Sequence, residues 1–382
     1  GEVLEKILEF EPDFLPALER LEEIHEASGN KERTCWICLQ MSELREKQGR
    51  FDLAVELCEK VLTLDRTQTE ARERLGRLLR SLGRHEEAYQ HQLALGEVFR
   101  ERVLNEKAVE AFQQAAEILP NDARCRTKLA SVYAELGRRE EQIEETLKAA
   151  EIFWSGGHRQ EARRLLTGAL EIDARHIGAR RLAIRMADES QDSAESIAQR
   201  KQLAAICLDK HQPRRAISIY REILEIDKED IVTHRSLAEQ LIKEGQNEEA
   251  SQEYQIIGDV YNQRGISGKA INFYRKAQEH HPQPDAISEK IVQTLLRENL
   301  QDKAVYELLA LAETYQQKNQ VEDMLRAYDQ VLDIDPGNLR VLNRVAQAHA
   351  QAQNPDGAAR AYRQIVETYV ERGILGKAIE AC

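Results

Sequence analysis

A chain of 382 residues is long enough for two or three ordinary domains or for one extended repeat array. Its net charge of −13 and pI of about 5.4 argue against a general affinity for nucleic acid or anionic lipid, while leaving room for a local basic stripe. No apolar run approaches the roughly 18 residues of a membrane span. A composition 32% charged and 5% aromatic, with mean hydropathy −0.59, fits a helical protein with much surface.

The chain opens with Gly1 just inside a helix, and LEKILEFEPD (4–13) has the pattern of the end of a repeating unit. Neither this end nor the other, where Cys382 falls in the first turns of a helix, has the polar cap that a repeat array needs. A segment of a longer protein is therefore expected. CWIC (35–38) follows. A redox C-x-x-C would sit at a helix start after a strand, and a zinc site would need two more ligands at matching spacing. The sequence offers neither. The six cysteines, Cys35, Cys38, Cys58, Cys125, Cys207 and Cys382, are scattered, which argues against a disulfide framework and for a reducing, cytoplasmic setting.

From residue 29 onward one spacing governs the chain. Turn residues stand at Gly29, Gly49, Gly83, Val103, Gly137, Gly157, Gln191, His211, Gly245, Gly265, Asn299, Asn319, Gln353 and Gly373. Their separations alternate 20 and 34, a period of 54 with no insertion or deletion. Five residues after each turn stands Ala in ten of the fourteen cases, which brings the new helix close to the one before. Gly and Asn suit such turns because they tolerate the left-handed backbone that ends a helix.

Each 34-residue interval predicts two helices, joined near Pro120, Pro282 or Pro336 or near EID at 171–173 and 225–227. Each 20-residue interval has room for one helix of about 17 residues. In 245–265, Ala250 and Tyr254 face backward while Ile257, Gly258 and Tyr261 face forward, so one helix serves two neighbours. The segment 104–138 shows the pattern most fully: Ala108, Phe112 and Ala115 on one face, a break at Pro120, then Leu129, Ala130 and Tyr133. This resembles the tetratricopeptide repeat. The resemblance implies an all-α, α-α superhelical solenoid over 1–382, with about 22 antiparallel helices and no cofactor. The least typical unit, 176–211, carries Gln191 and Ser196 where Gly and Ala are usual, and could form a hinge.

RGISGKAI (264–271) and RGILGKAI (372–379) look like phosphate cradles, but Gly265 and Gly373 are turn residues of the array. A P-loop needs G-x-x-x-x-G-K-[ST] after a buried strand. No H-E-x-x-H or G-x-S-x-G occurs either, so a non-enzymatic chain is expected. Tyrosines recur at fixed phases and are expected in the core, and Cys38, Cys58 and Cys382 take the phase held elsewhere by Phe112, Tyr220, Tyr254, Tyr274, Tyr328 and Tyr362.

One polar stripe stands out. Arg72, Arg126, Arg180 and His234 lie eleven residues before a turn, and Arg74, Lys128, Lys290 and Arg344 lie nine before. In tetratricopeptide arrays these positions fall on the helix lining the concave surface, where a basic ladder, with Arg77 beside it, could grip an acidic peptide or helix. The alternative is a solvated face that balances local carboxylates. The family's carboxylate clamp for chaperone tails is not reproduced, since its positions hold Glu73 and Arg77, Thr127 and Ser131, Arg235 and Glu239. The expected function is a protein-binding scaffold within a larger assembly, without nucleic-acid or membrane partners. A regulatory arm of a larger enzyme is the alternative, and RNA reading by helical repeats conflicts with the acidic charge.

Overall fold

The computed structural model describes residues 2–283 and 285–382, so the placement of Gly1 inside a helix lies outside the described residues. Helices α1 (Glu2–Phe10) and α2 (Leu15–Ala27) lead into a recurring triplet. The triplets are α3 (Lys31–Lys47), α4 (Phe51–Leu64) and α5 (Thr69–Ser81); α6 (His85–Glu101), α7 (Asn105–Ile118) and α8 (Ala123–Glu135); and α9 (Arg139–Ser155), α10 (Arg159–Ile172) and α11 (Ile177–Glu189). They continue as α12 (Ser193–Asp209), α13 (Pro213–Ile226) and α14 (Ile231–Lys243); then α15 (Asn247–Gln263), α16 (Ser267–His280) and α17 (Asp285–Arg297). Last come α18 (Gln301–Gln317), α19 (Val321–Ile334) and α20 (Leu339–Gln351), followed by α21 (Pro355–Glu371) and α22 (Leu375–Ala381). Within a triplet the helices measure 17, 14 and 13 residues, and among the described residues there are 22 helices and no strand.

All fourteen turn residues adopt positive φ, from +55° at His211 and Gln353 to +81° at Gly157. Each closes the helix before it in the same way. At the end of α2, Gly29 N–H bonds the carbonyl of Glu26 at 3.0 Å and Asn30 N–H reaches back to His25 at 3.0 Å. Those two bonds satisfy carbonyls that a helix end would otherwise leave orphaned. The least favourable occupant is Val103, whose branched side chain stands 77% exposed at φ +58°. A β-branched residue there is strained by roughly 1–2 kcal/mol with no packing in return. Val103→Gly is therefore expected to stabilise the chain by about 1 kcal/mol, measured as a higher urea midpoint at unchanged slope.

The junctions inside the 34-residue intervals end differently, in extended backbone. Asp65, Asp173 and Asp227 cap α4, α10 and α13, and each carboxylate accepts from the backbone N–H two residues on, at 2.8, 2.8 and 3.0 Å. Pro120, Pro282 and Pro336 occupy the other junctions, where proline cannot continue the helix.

The core sits between successive helices. In one cluster Leu95 and Phe99 of α6, Ala108 and Phe112 of α7, and Leu129 and Tyr133 of α8 pack together. The ring of Phe112 is fully buried against Gly96, where an added Cβ would stand 2.5 Å from it. Gly258 and Tyr274 repeat the arrangement at 2.4 Å. The described residues form two compact units, Gly1–Gln199 and Arg200–Cys382, divided within α12.

Candidate functional site

The cysteines of CWIC lie inside the helix packing. Cys35 is 5% exposed and Cys38 fully buried, both as free thiols, and burial reinforced by the Glu22 carboxylate pushes the Cys38 pKa up to about 12. A thiol so disfavoured as thiolate is a poor nucleophile and a poor metal ligand at neutral pH. The tyrosines at the repeated phase are buried at Tyr220, Tyr254, Tyr274 and Tyr328. Tyr362, at the same phase, stands 41% exposed.

The basic stripe resolves into two internal registers. In the first, the side chain eleven residues before a turn bonds the carbonyl six residues back, at the head of its own helix. Arg72 donates from Nε and Nη2 to the Arg66 carbonyl at 3.1 and 2.6 Å, and Arg180 does the same to Ala174 at 3.1 and 3.0 Å. Side chains at this position also reach forward to the residue nineteen on, in the next long helix, at Arg126 and Arg180. Arg126 Nη1 meets Glu145 at 2.9 Å, and Arg180 Nη1 meets Gln199 at 2.6 Å. These bonds tie a 13-residue helix to the long helix that follows it.

In the second register, the cation nine residues before a turn pairs with a carboxylate 31 residues earlier. Arg74 lies 3.4 Å from Glu43, Lys128 bonds Glu97, Lys290 stands 2.8 Å from Asp259, and Arg344 3.1 Å from Glu313. Arg74 is the deepest: 7% exposed, it also donates to the Leu39 carbonyl at 2.9 Å. Sequence reasoning picked out the cations and missed their partners. The signal was available, because Glu43, Glu97, Glu151, Asp259 and Glu313 all lie fourteen residues after a turn. Arg77 differs from the rest, being exposed with no side-chain partner among the described residues.

His234 occupies the first register in α14. Its Nε2 lies 3.0 Å from the Lys228 carbonyl and its Nδ1 2.5 Å from a Glu253 oxygen. Both partners are acceptors, so both ring nitrogens must carry hydrogen and the bonded form is the imidazolium. Burial pulls its pKa down, but the bonds to Glu253 and Lys228 and the charges of Glu253 and Asp230 outweigh it, and the net shift is upward. A raised folded pKa gives stability that is complete below the unfolded value of about 6.5 and lost as pH climbs through the folded value. The urea midpoint of the unit containing α14 is therefore expected to fall as pH rises above about 6.5. His234→Arg, which keeps the charge, should flatten that slope.

Open cavities lie at helix junctions and between neighbouring helices. One, of about 580 Å³, lies between the α7–α8 junction and the end of α9, lined by Leu119, Pro120, Ile152, Phe153, Arg124 and His158. No helix among the described residues is long and apolar enough to cross a membrane.

Residues 39–95, 69–123 and 309–370 match the family model of the tetratricopeptide repeat. Among curated proteins no match is found. Three similar solved structures are the tetratricopeptide-repeat domain of P58(IPK), the apo form of RapI, and Naa15/Naa10 bound to HypK-THB. The first is 13% identical over 91% of this chain and 98% of its own, with TM-score 0.21. The second is 13% identical over 77% and 94%, with TM-score 0.23. The third is 11% identical over 90% and 74%, with TM-score 0.18. At those values the assignment rests on the repeat match and on the helices themselves.

Proposed function

We propose that this chain, whose residues 39–123 and 309–370 are tetratricopeptide repeats, is a non-catalytic scaffold that holds a peptide or helix of a partner protein. The repeat match carries the proposal, since stacked helix pairs of this kind offer long, pre-formed surfaces to other polypeptides. We place the contact on the face that the resemblance assigns to the inner wall, formed by α5, α8 and α11 in the first unit. There the basic-ladder residues Arg72, Arg74, Arg126, Lys128 and Arg180 hold that face in shape through their internal bonds, and within the second unit Lys290 and Arg344 make the same kind of bond. Exposed cations between them, Arg77 and Arg181, are free to meet acidic partner groups. The five buried free thiols fit a reducing, cytoplasmic setting.

The test is a peptide-display selection on the full chain. It should yield ligands whose binding weakens when Arg77 and Arg181 are both changed to Glu. Failure to select any ligand above background would overturn the scaffold reading.

A further inference from the structure

The forward contact of the first register has one gap among the described residues. Where Arg126 finds Glu145, Arg180 finds Gln199 and His234 finds Glu253 nineteen residues on, Arg72 has His91, on which its charge acts. Arg72 holds the same pose as Arg180, with Nε and Nη2 on the carbonyl six residues back. Its Nη1, the atom that in Arg126 and Arg180 meets the oxygen of the next long helix, has no acceptor among the described residues. On the other side, His91 Nδ1 is buried with no hydrogen-bond partner. Burial, the charge of Arg72 and that of Arg84 all hold the His91 pKa below its ordinary value, against Glu87. Glu87 does not fill the gap, because Arg84 Nε already engages it at 2.7 Å. Asp65 lies near Arg72 but caps Thr67, accepting its backbone N–H and its hydroxyl at 2.8 Å each.

A guanidinium nitrogen of Arg72 and the unpartnered imidazole of His91 thus stand where the other modules supply an oxygen acceptor. We propose that Arg72 and His91 form a subsite for a carboxylate side chain of a bound acidic polypeptide, which takes the place of the missing acceptor between α5 and α6. The proposal deepens the scaffold reading and rests on it. A carboxylate fits because the repeat itself uses one here: Glu145 and Glu253 show that an acid at this point bonds the cation of the preceding helix. Binding would draw a proton onto His91, since the new negative charge opposes the burial and the Arg72 charge that together hold its pKa down.

The test uses the full chain and a capped hexaglutamate peptide, with inorganic phosphate as the competing anion. Calorimetry should show peptide binding that falls about tenfold in Arg72→Gln and in His91→Glu, the loss expected for one charge-assisted bond. His91→Glu supplies the acceptor in cis, so its unfolding midpoint should hold or rise, which separates lost binding from lost folding. Nuclear magnetic resonance titration should show the His91 pKa rising when peptide is bound. Unchanged peptide affinity in both variants, or a His91 pKa that does not move, overturns the subsite. Phosphate binding as tightly as the peptide also overturns it, leaving a simple anion site. The scaffold reading fails separately: display-selected ligands that still bind His91→Glu would leave it intact.

Discussion

Gly258→Val is expected to destabilise the second unit by roughly 3 kcal/mol, although it removes a glycine from the interior of a helix. Replacing a mid-helix glycine by alanine ordinarily gains about 1 kcal/mol, so the close contact reverses the usual sign. A Cβ on Gly258 would stand 2.4 Å from the ring of Tyr274, closer than carbon atoms can approach. The ring has nowhere to go: Tyr274 is 1% exposed, its hydroxyl bonds Asp259 at 2.7 Å, and Lys290 stands 2.8 Å from the same carboxylate. Valine also adds two methyl groups that must enter the same helix contact. Alanine should cost less, about 1 kcal/mol. The equivalent positions before Tyr220 and Tyr328 are Ala204 and Ala312, both fully buried, so the helix pair can open by one Cβ. Urea unfolding of Gly258→Val, Tyr274→Leu and the double variant checks the mechanism. If the clash is the cause, the double variant should recover much of the loss, with a coupling energy of about 1–2 kcal/mol. A Gly258→Val chain as stable as the parent would mean that the two helices are not packed this closely.

The architecture was legible because its two determinants are local. A residue that must end a helix at positive φ is chosen from few types, and a fixed 20 and 34 spacing repeats that choice until it stands clear of the background. Even Val103, His211 and Gln353, which do not look like turn residues, were found by register alone, and all three have positive φ. The junction prolines were legible for the same reason. The polar stripe was read only by half. Arg74, Lys128, Lys290 and Arg344 could be seen as a series, but their carboxylates lie 31 residues upstream on a different helix. No local rule joins residues at that distance; only the folded stack brings them within ion-pair reach. Arg74 could not be recognised as buried either, because a long cation on an amphipathic helix normally keeps its head in water.

That burial sets the second large effect. Arg74→Glu is expected to cost about 3–5 kcal/mol, the range for breaking a buried charge arrangement and leaving an unpaired charge behind. The guanidinium donates to the Leu39 carbonyl at 2.9 Å and lies 3.4 Å from both Glu43 and Glu70. A glutamate in its place would strip the carbonyl of its donor and set a third carboxylate beside two others in a site 7% exposed. Arg74→Met should be milder, about 1–2 kcal/mol, since the stem's packing survives and only the polar partners are lost. Arg77→Glu, three residues on and exposed, should stay within about 0.5 kcal/mol of the parent. Thermal unfolding followed by circular dichroism orders the three variants. Equal midpoints for Arg74→Glu and Arg77→Glu would show that Arg74 is not part of the packed interior. The ordering also decides how the binding face can be probed. A partner lost on reversing Arg74 would report a loosened α3–α5 contact, whereas a partner lost on reversing Arg77 and Arg181, with the midpoint unchanged, would report the surface itself.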